Sequence, residues 1–135
     1  MGNAGRGIAL DNDSNVYITG EFWDTAQFGT YSVTSANASD IFVAKLNSNG
    51  QWEMVASAGG MGENYGRGIT VDGTGNCYVT GVFSNTANFG TYSVSSSVWS
   101  DVFVAKFGTD NIWQWASDGG GSQTDYVESV SFDGV

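Results

Sequence analysis

The stretch GRGIALDNDSNVYITG at residues 5–20 returns 61 residues later as GRGITVDGTGNCYVTG at residues 66–81. A third copy opens at Tyr126, one further step after Tyr65. A repeat of this regularity indicates one supersecondary unit stacked on copies of itself. The same step, without a gap, relates Tyr17 to Tyr78, Phe28 to Phe89, Asp40 to Asp101, Lys45 to Lys106 and Trp52 to Trp113.

Each copy contains four short apolar segments separated by turn residues. Asn49-Gly50 between the third and fourth segments is a strong hairpin signal, because both residues tolerate positive φ. We therefore expect four antiparallel strands, A to D, in a meander. The expected ranges are 7–11 and 68–72 for strand A, 15–22 and 76–83 for B, 40–46 and 101–107 for C, and 51–57 and 112–117 for D.

The pattern inside the strands predicts burial on both faces. Strand C reads Ile-Phe-Val-Ala at residues 41–44, where a strand with one wet face would alternate apolar and polar residues. An antiparallel meander covered on both faces is typical of a β-propeller blade. We predict an all-β fold with residues 1–65 as blade one, 66–125 as blade two and 126–135 as the first strand of a third blade. The connection from B to C, at residues 23–39, is expected to be a long loop.

Two motifs resemble a known repeat. DGTGNCYVTG at residues 72–81 and DVFVAK at 101–106, followed by a Trp and a Gly-Gly pair, resemble the bacterial β-propeller repeat called the SBBP repeat. The resemblance covers nearly the whole chain and implies a propeller in a secreted or surface-exposed bacterial protein, with a binding or structural role. It implies no general catalytic residues. Two turn positions depart from the pattern: Ser14, where Gly is usual, and Asn111, where the first copy has Gly50.

Composition excludes several classes of function. The formal charge of −10 disfavours nucleic acid and anionic membrane surfaces as partners, and no apolar run is long enough to span a bilayer. Without histidine the common Ser and Cys nucleophile systems are excluded, and the single Cys77 permits neither an intrachain disulfide nor a cysteine-based zinc site. A pair of carboxylates hydrolysing glycosides is the catalytic alternative that stays open.

Comparing the two copies separates blade-building residues from candidate contacts. Residues that recur, including all four basic ones, are interpreted as scaffold, and Lys45 is expected to pair with Asp40 or with an acid of a neighbouring blade. The B–C connection varies: EFWD at residues 21–24 becomes VFSN, and ANA at 36–38 becomes SVW. Loops carried on a rigid scaffold commonly bind ligands. The candidate ligand-binding residues are Glu21, Trp23, Asp24 and Trp99.

A second candidate site lies in the first A–B turn. Asp11, Asp13 and Asn15 place oxygen ligands at alternating positions, as at the opening of a calcium loop. An acid at the spacing of an EF-hand is missing, and tight-turn hydrogen bonds explain the same residues. No cofactor is expected, with calcium as the alternative.

The sequence thus predicts a non-catalytic interaction or scaffold module that binds a protein partner or a glycan through its B–C loops. A purely structural propeller segment and a carboxylate-dependent glycosidase are the alternatives. Two blades leave two apolar faces open, and exposed faces of that kind mark an interface. We expect them to be covered by further blades of a longer chain or, alternatively, by copies of this chain in a ring.

Overall fold

A computed structural model describes residues 2–134, and within them it contains ten β-strands and no helix. Accordingly, these residues include no helix long and apolar enough to cross a membrane. The strands are β1 (Ala4–Leu10), β2 (Val16–Phe22), β3 (Thr25–Phe28), β4 (Tyr31–Thr34), β5 (Asp40–Leu46), β6 (Trp52–Gly60), β7 (Asn64–Val71), β8 (Cys77–Phe89), β9 (Tyr92–Phe107) and β10 (Trp113–Gly119).

Each repeat forms a four-stranded antiparallel meander. The first repeat has the order β1-β2-β5-β6, and the second has β7-β8-β9-β10. A short pairing of Gly59 and Gly60 on β6 with Asn88 and Ala87 on β8 joins the two meanders into one curled antiparallel sheet. The all-β prediction is confirmed, and strand C of the first repeat has the predicted bounds.

The B–C connection differs from the predicted loop because it is a β-hairpin. In the first repeat β3 and β4 pair around Gly29, whose φ is 63°. In the second, β8 and β9 simply continue into the hairpin, which turns at Gly90 with a φ of 61°. Glycine at the first position of a two-residue turn suits the twist of a hairpin.

An aromatic anchor fixes this hairpin in both repeats. The ring of Phe28 lies 5.0 Å from those of Phe42 and Trp52, and the ring of Phe89 lies 5.1 Å from that of Trp113. The hairpin therefore folds back over the apolar face of its own meander.

The expected first strand of a third blade is not formed within residues 126–134, and Val135 lies outside the described residues. A strand requires a hydrogen-bonding neighbour, and β1 and β7 each pair with the strand that follows them. The segment nevertheless lies beside β7: a Cβ placed on Gly68 would be 2.7 Å from the Cα of Ser129. One placed on Gly7 would similarly be 3.2 Å from the Cα of Gly68, so equivalent residues of successive copies approach closely.

The main core lies between the two repeats. Residues of the first repeat such as Tyr17, Val43 and Met54 pack against residues of the second such as Ile69 and Val79. The indole Nε1 of Trp113 adds a hydrogen bond of 3.2 Å to the carbonyl oxygen of Ser57 across this boundary.

The two turn residues that depart from the repeat pattern keep its backbone conformation. Ser14 has a φ of 65° where the second repeat has Gly75 at 94°, and Asn111 has a φ of 62° where the first has Gly50 at 82°. Asparagine tolerates this left-handed region better than most residues, whereas serine carries a steric cost there.

Candidate functional site

Trp99 is the more accessible of the two candidate tryptophans. It lies on β9 with 58% of its surface exposed, and it borders a shallow cavity of about 410 Å³. The other lining residues are Ser122, Gln123 and Thr124, so an apolar ring stands beside hydroxyl and amide groups. A hydrogen bond of 3.3 Å from the hydroxyl of Ser97 to the carbonyl oxygen of Gly121 ties β9 to this segment.

The ring of Trp23 packs against a neighbouring side chain and is less accessible to a ligand. Its side chain is half-buried, and its ring centre lies 6.4 Å from that of Tyr65 on β7. Its backbone amide donates a hydrogen bond of 3.1 Å to the side-chain oxygen of Asn3. Trp23 thus covers the junction between the two repeats.

Glu21 is buried and already bonded. The guanidinium of Arg6 donates to the same carboxylate oxygen, Oε1, through Nη2 at 2.6 Å and through Nε at 3.0 Å. The hydrogen bond to Glu21 and its negative charge raise the pKa of Arg6. The carboxylate of Glu21 therefore faces a partner within the chain.

Asp24 is exposed and has a backbone role. Its φ is 57°, and its carbonyl oxygen accepts a hydrogen bond of 2.7 Å from the amide of Ser35. Its counterpart Asn85 has a φ of 61°. Both repeats thus place a residue that tolerates the left-handed region at the entrance to the hairpin. The exchange of Asp for Asn between the copies already indicates this conformation in the sequence.

The A–B turns are closed by their first aspartate. The carboxylate of Asp11 accepts bonds from the amide of Asp13, from the amide and side chain of Asn15 and from the hydroxyl of Tyr17, at 2.8 to 3.3 Å. Desolvation alone would raise the pKa of Asp11, but these bonds lower it. Among the described residues, no group of three acidic or cysteine side chains is positioned to hold a metal ion.

A cavity between the repeats was not foreseen from sequence. It has a volume of about 250 Å³ and is lined by Asp11, Lys45, Asp72 and Cys77, among others. Burial raises the pKa of the Cys77 thiol to about 12. No pattern within one copy could reveal this cavity, because residues of both copies form its walls.

Lys45 has a different partner from the expected one. Its Nζ lies 3.2 Å from Oε2 of Glu53 in the same repeat, and 5.7 Å from the ring centre of Tyr17. Asp40 instead accepts a hydrogen bond of 3.0 Å from the amide of Ala36. Its carboxylate fills the space where a side chain on Gly59 would lie, and burial raises its pKa.

A scan against models of known protein families and a search of curated proteins both found no match for this chain.

Proposed function

We propose that this chain is a non-catalytic interaction module of a secreted or surface-exposed bacterial protein, built of propeller-type blades, and that it binds a glycan at Trp99. The observation that carries the proposal is the exposed indole of Trp99 beside a cavity lined by Ser122, Gln123 and Thr124. A flat aromatic face suits the apolar side of a sugar ring. The neighbouring hydroxyl and amide groups suit its hydroxyls, because they both donate and accept hydrogen bonds.

Three features support propeller-type blades. Each repeat is a four-stranded meander with its first strand at one edge. The two meanders bury apolar side chains against each other, as adjacent blades do. The first strands of successive copies approach closely at Gly7, Gly68 and Ser129. The secreted or surface location rests on the resemblance to the SBBP repeat.

The two alternative functions, a purely structural segment and a glycosidase, agree less well with the residues around Trp99 and Glu21. A purely structural segment gives no reason for an exposed tryptophan at a position where the first repeat has Ala38. A glycosidase requires two carboxyl groups that flank a sugar, and the carboxylate of Glu21 is buried and bonded to Arg6. A protein partner in place of a glycan would use the same exposed ring.

The test is binding of the full chain to a glycan array, followed by measurement of affinity for any sugar that binds. Trp99→Ala should weaken binding at least about 5-fold, the loss expected for an aromatic stacking contact of about 1 kcal/mol. Trp23→Ala removes a tryptophan that packs on Tyr65 and should change binding less. Asn12→Ala, in the exposed A–B turn, is the matched surface control. Retained affinity in a folded Trp99→Ala variant, or loss with Asn12→Ala alone, would show that another surface binds the sugar.

A further inference from the structure

The first repeat has an apolar face that the described chain covers only in part, where Phe28 of the hairpin packs on Trp52. Ile8 and Leu10 on β1 are 66% and 60% exposed. They share their face with Ile18, which pairs with Ile8 across β1 and β2. We call this surface the leading face; it comprises Ile8, Leu10, Ile18, Leu46 and Trp52.

In the second repeat, the equivalent apolar face is covered by the first repeat. Ile69 and Val71, the counterparts of Ile8 and Leu10, are each only 6% exposed because the first repeat packs on them. The counterparts of Ile18, Leu46 and Trp52, which are Val79, Phe107 and Trp113, are buried in the same way. The leading face thus lies at the surface, whereas the equivalent face of the second repeat forms part of the buried core.

The opposite side of the second repeat carries the matching surface. In the first repeat Tyr17, Val43 and Met54 cover Ile69 and Val71 from the other side of the boundary. Their counterparts in the second repeat are Tyr78, Val104 and Trp115, which are half-buried or exposed. We call these three residues the trailing face.

We propose that two copies of this chain associate head to tail, with the leading face of one copy docked on the trailing face of the other. The boundary between the two repeats supplies the template, because each position on the leading face has a buried counterpart there. The hydrogen bond from Trp113 to the carbonyl oxygen of Ser57 then has an intermolecular equivalent, from Trp52 of one copy to the carbonyl oxygen of Asp118 of the other.

The segment of residues 126–134 must move for this docking. It lies along β7 where the incoming β1 would lie, since Ser129 stands at the position of Gly7 and Gly68 in the repeat. It covers the trailing face incompletely, because a cavity of about 710 Å³ is lined both by Val130 and Phe132 of this segment and by Tyr78 and Val104 of that face. Its side chains Tyr126 and Phe132 are exposed. An incoming β1, backed by a complete meander, covers more of the trailing face than this segment does.

Net charge opposes the association. Each copy carries a formal charge of −10, so two copies repel one another at low ionic strength. Added salt screens this repulsion, so association should increase with sodium chloride concentration.

The test measures the mass of the full chain by light scattering and sedimentation from micromolar to millimolar concentration, in low and high salt. The native chain should exceed its monomer mass of 14.2 kDa as concentration rises. The leading-face variant Ile8→Asn/Leu10→Asn and the trailing-face variant Trp115→Asn should each stay monomeric. All three side chains are exposed in the isolated chain, so both variants should keep the native circular dichroism spectrum. Met61→Gln, which changes an exposed apolar side chain elsewhere, should associate like the native chain.

Mixing the two variants distinguishes head-to-tail docking from any symmetric arrangement. Each variant retains the face that the other has lost, so an equal mixture should form a dimer of twice the chain mass and grow no further. A native chain that stays at 14.2 kDa up to millimolar concentration overturns the proposal. So does a Trp115→Asn variant that still self-associates, a mixture that stays monomeric, or a Met61→Gln variant that loses association.

Discussion

Arg6 and Glu21 form an ion pair between β1 and β2 that has no equivalent in the second repeat. Arg6 Nη2 lies 2.6 Å from Glu21 Oε1, whereas the corresponding residues are Arg67 and Val82. Arg67 instead places its guanidinium carbon 5.5 Å from the ring centre of Tyr65. A residue can therefore recur in both copies and still have a different partner in each.

Removing only the arginine of this pair should destabilise the chain. In Arg6→Ala the buried carboxylate of Glu21 loses its donor, and we expect a loss of about 1–3 kcal/mol in the free energy of unfolding. The exposed end of Arg6 favours the lower part of this range. The double variant Arg6→Ala/Glu21→Val, which copies the valine of the second repeat, should recover most of the loss. Urea unfolding of the single and double variants measures it, and additive losses would contradict a specific pair.

Acid should weaken the second A–B turn through Asp72. Desolvation alone would raise the pKa of Asp72, but hydrogen bonds from Thr74 and Asn76 lower it below its usual value. A carboxyl group whose pKa is lower in the folded state contributes stability above its unfolded pKa of about 3.9, and this contribution is lost as pH falls through the folded value. Asp72→Asn should therefore cost about 1 kcal/mol at pH 7, and the difference from the native chain should shrink below pH 4.

Asp40 affects the pH dependence of stability in the opposite direction, and comparing the native chain with Asp72→Asn removes this effect. Burial raises the pKa of Asp40, so acid relieves the cost of keeping its charge in the folded state. That contribution is common to both proteins and cancels in their difference. Urea unfolding at neutral and acidic pH is the measurement, and a difference that stays constant below pH 4 would exclude the linkage to Asp72.

Calcium should not be required for folding. Both carboxylate oxygens of Asp11 already accept hydrogen bonds within the turn, from Asn15, Asp13 and Tyr17. Ion binding would have to break some of these bonds. Millimolar calcium should leave the melting temperature unchanged, both in the native chain and in Asp13→Ala. A large rise in melting temperature that Asp13→Ala abolishes would establish a calcium site.

The strands could be predicted because each copy constrains the other. The apolar runs and the Asn49-Gly50 turn recur or have a close equivalent, which sets the meander and its register. The sequence does not predict the hairpin in the B–C connection, because its strands, TAQF in β3 and YSVT in β4, are short and mostly exposed. Its phenylalanine recurs in both copies and is therefore interpreted as scaffold, and the packing of Phe28 on Trp52 agrees with that interpretation.

The candidate site was harder to predict because exposure depends on what lies across the fold. Trp23 and Trp99 differ from their counterparts in the same way in sequence, yet Trp23 packs on Tyr65 and Trp99 does not have such a neighbour within the described residues. Likewise, Glu21 has the composition of a sugar contact, but its partner Arg6 lies 15 residues earlier on another strand. Pairings of this kind follow from register, which residue composition does not contain.

Cys77 should be unreactive in the folded chain. Its side chain is buried, and burial raises its pKa to about 12, so almost no thiolate exists at pH 8. We expect a thiol reagent to modify it at least about 100-fold more slowly than an unfolded cysteine. The control variant Cys77→Ser/Thr74→Cys places the thiol in the exposed turn and should react at once. Equal rates for the native chain and this control would show that the cavity beside Cys77 opens readily.

Phe89 should contribute more to stability than its counterpart Phe28. Phe89 is fully buried, with its ring 4.9 Å from that of Phe103, whereas Phe28 is only partly buried because the face it covers is the open one. Phe89→Ala should lower the free energy of unfolding by about 3–5 kcal/mol, and Phe28→Ala by less. Thr91→Ala, in the exposed turn of the same hairpin, should change it by no more than about 0.5 kcal/mol.

The difference between the two phenylalanines also reports on the leading face. If a second copy covers that face, Phe28 becomes more deeply buried, and the cost of Phe28→Ala should rise with protein concentration while the cost of Phe89→Ala stays constant. Thermal unfolding at low and high concentration measures both. Equal costs for the two variants at low concentration would mean that the hairpin of the first repeat is already as well packed as that of the second, which would contradict an open leading face.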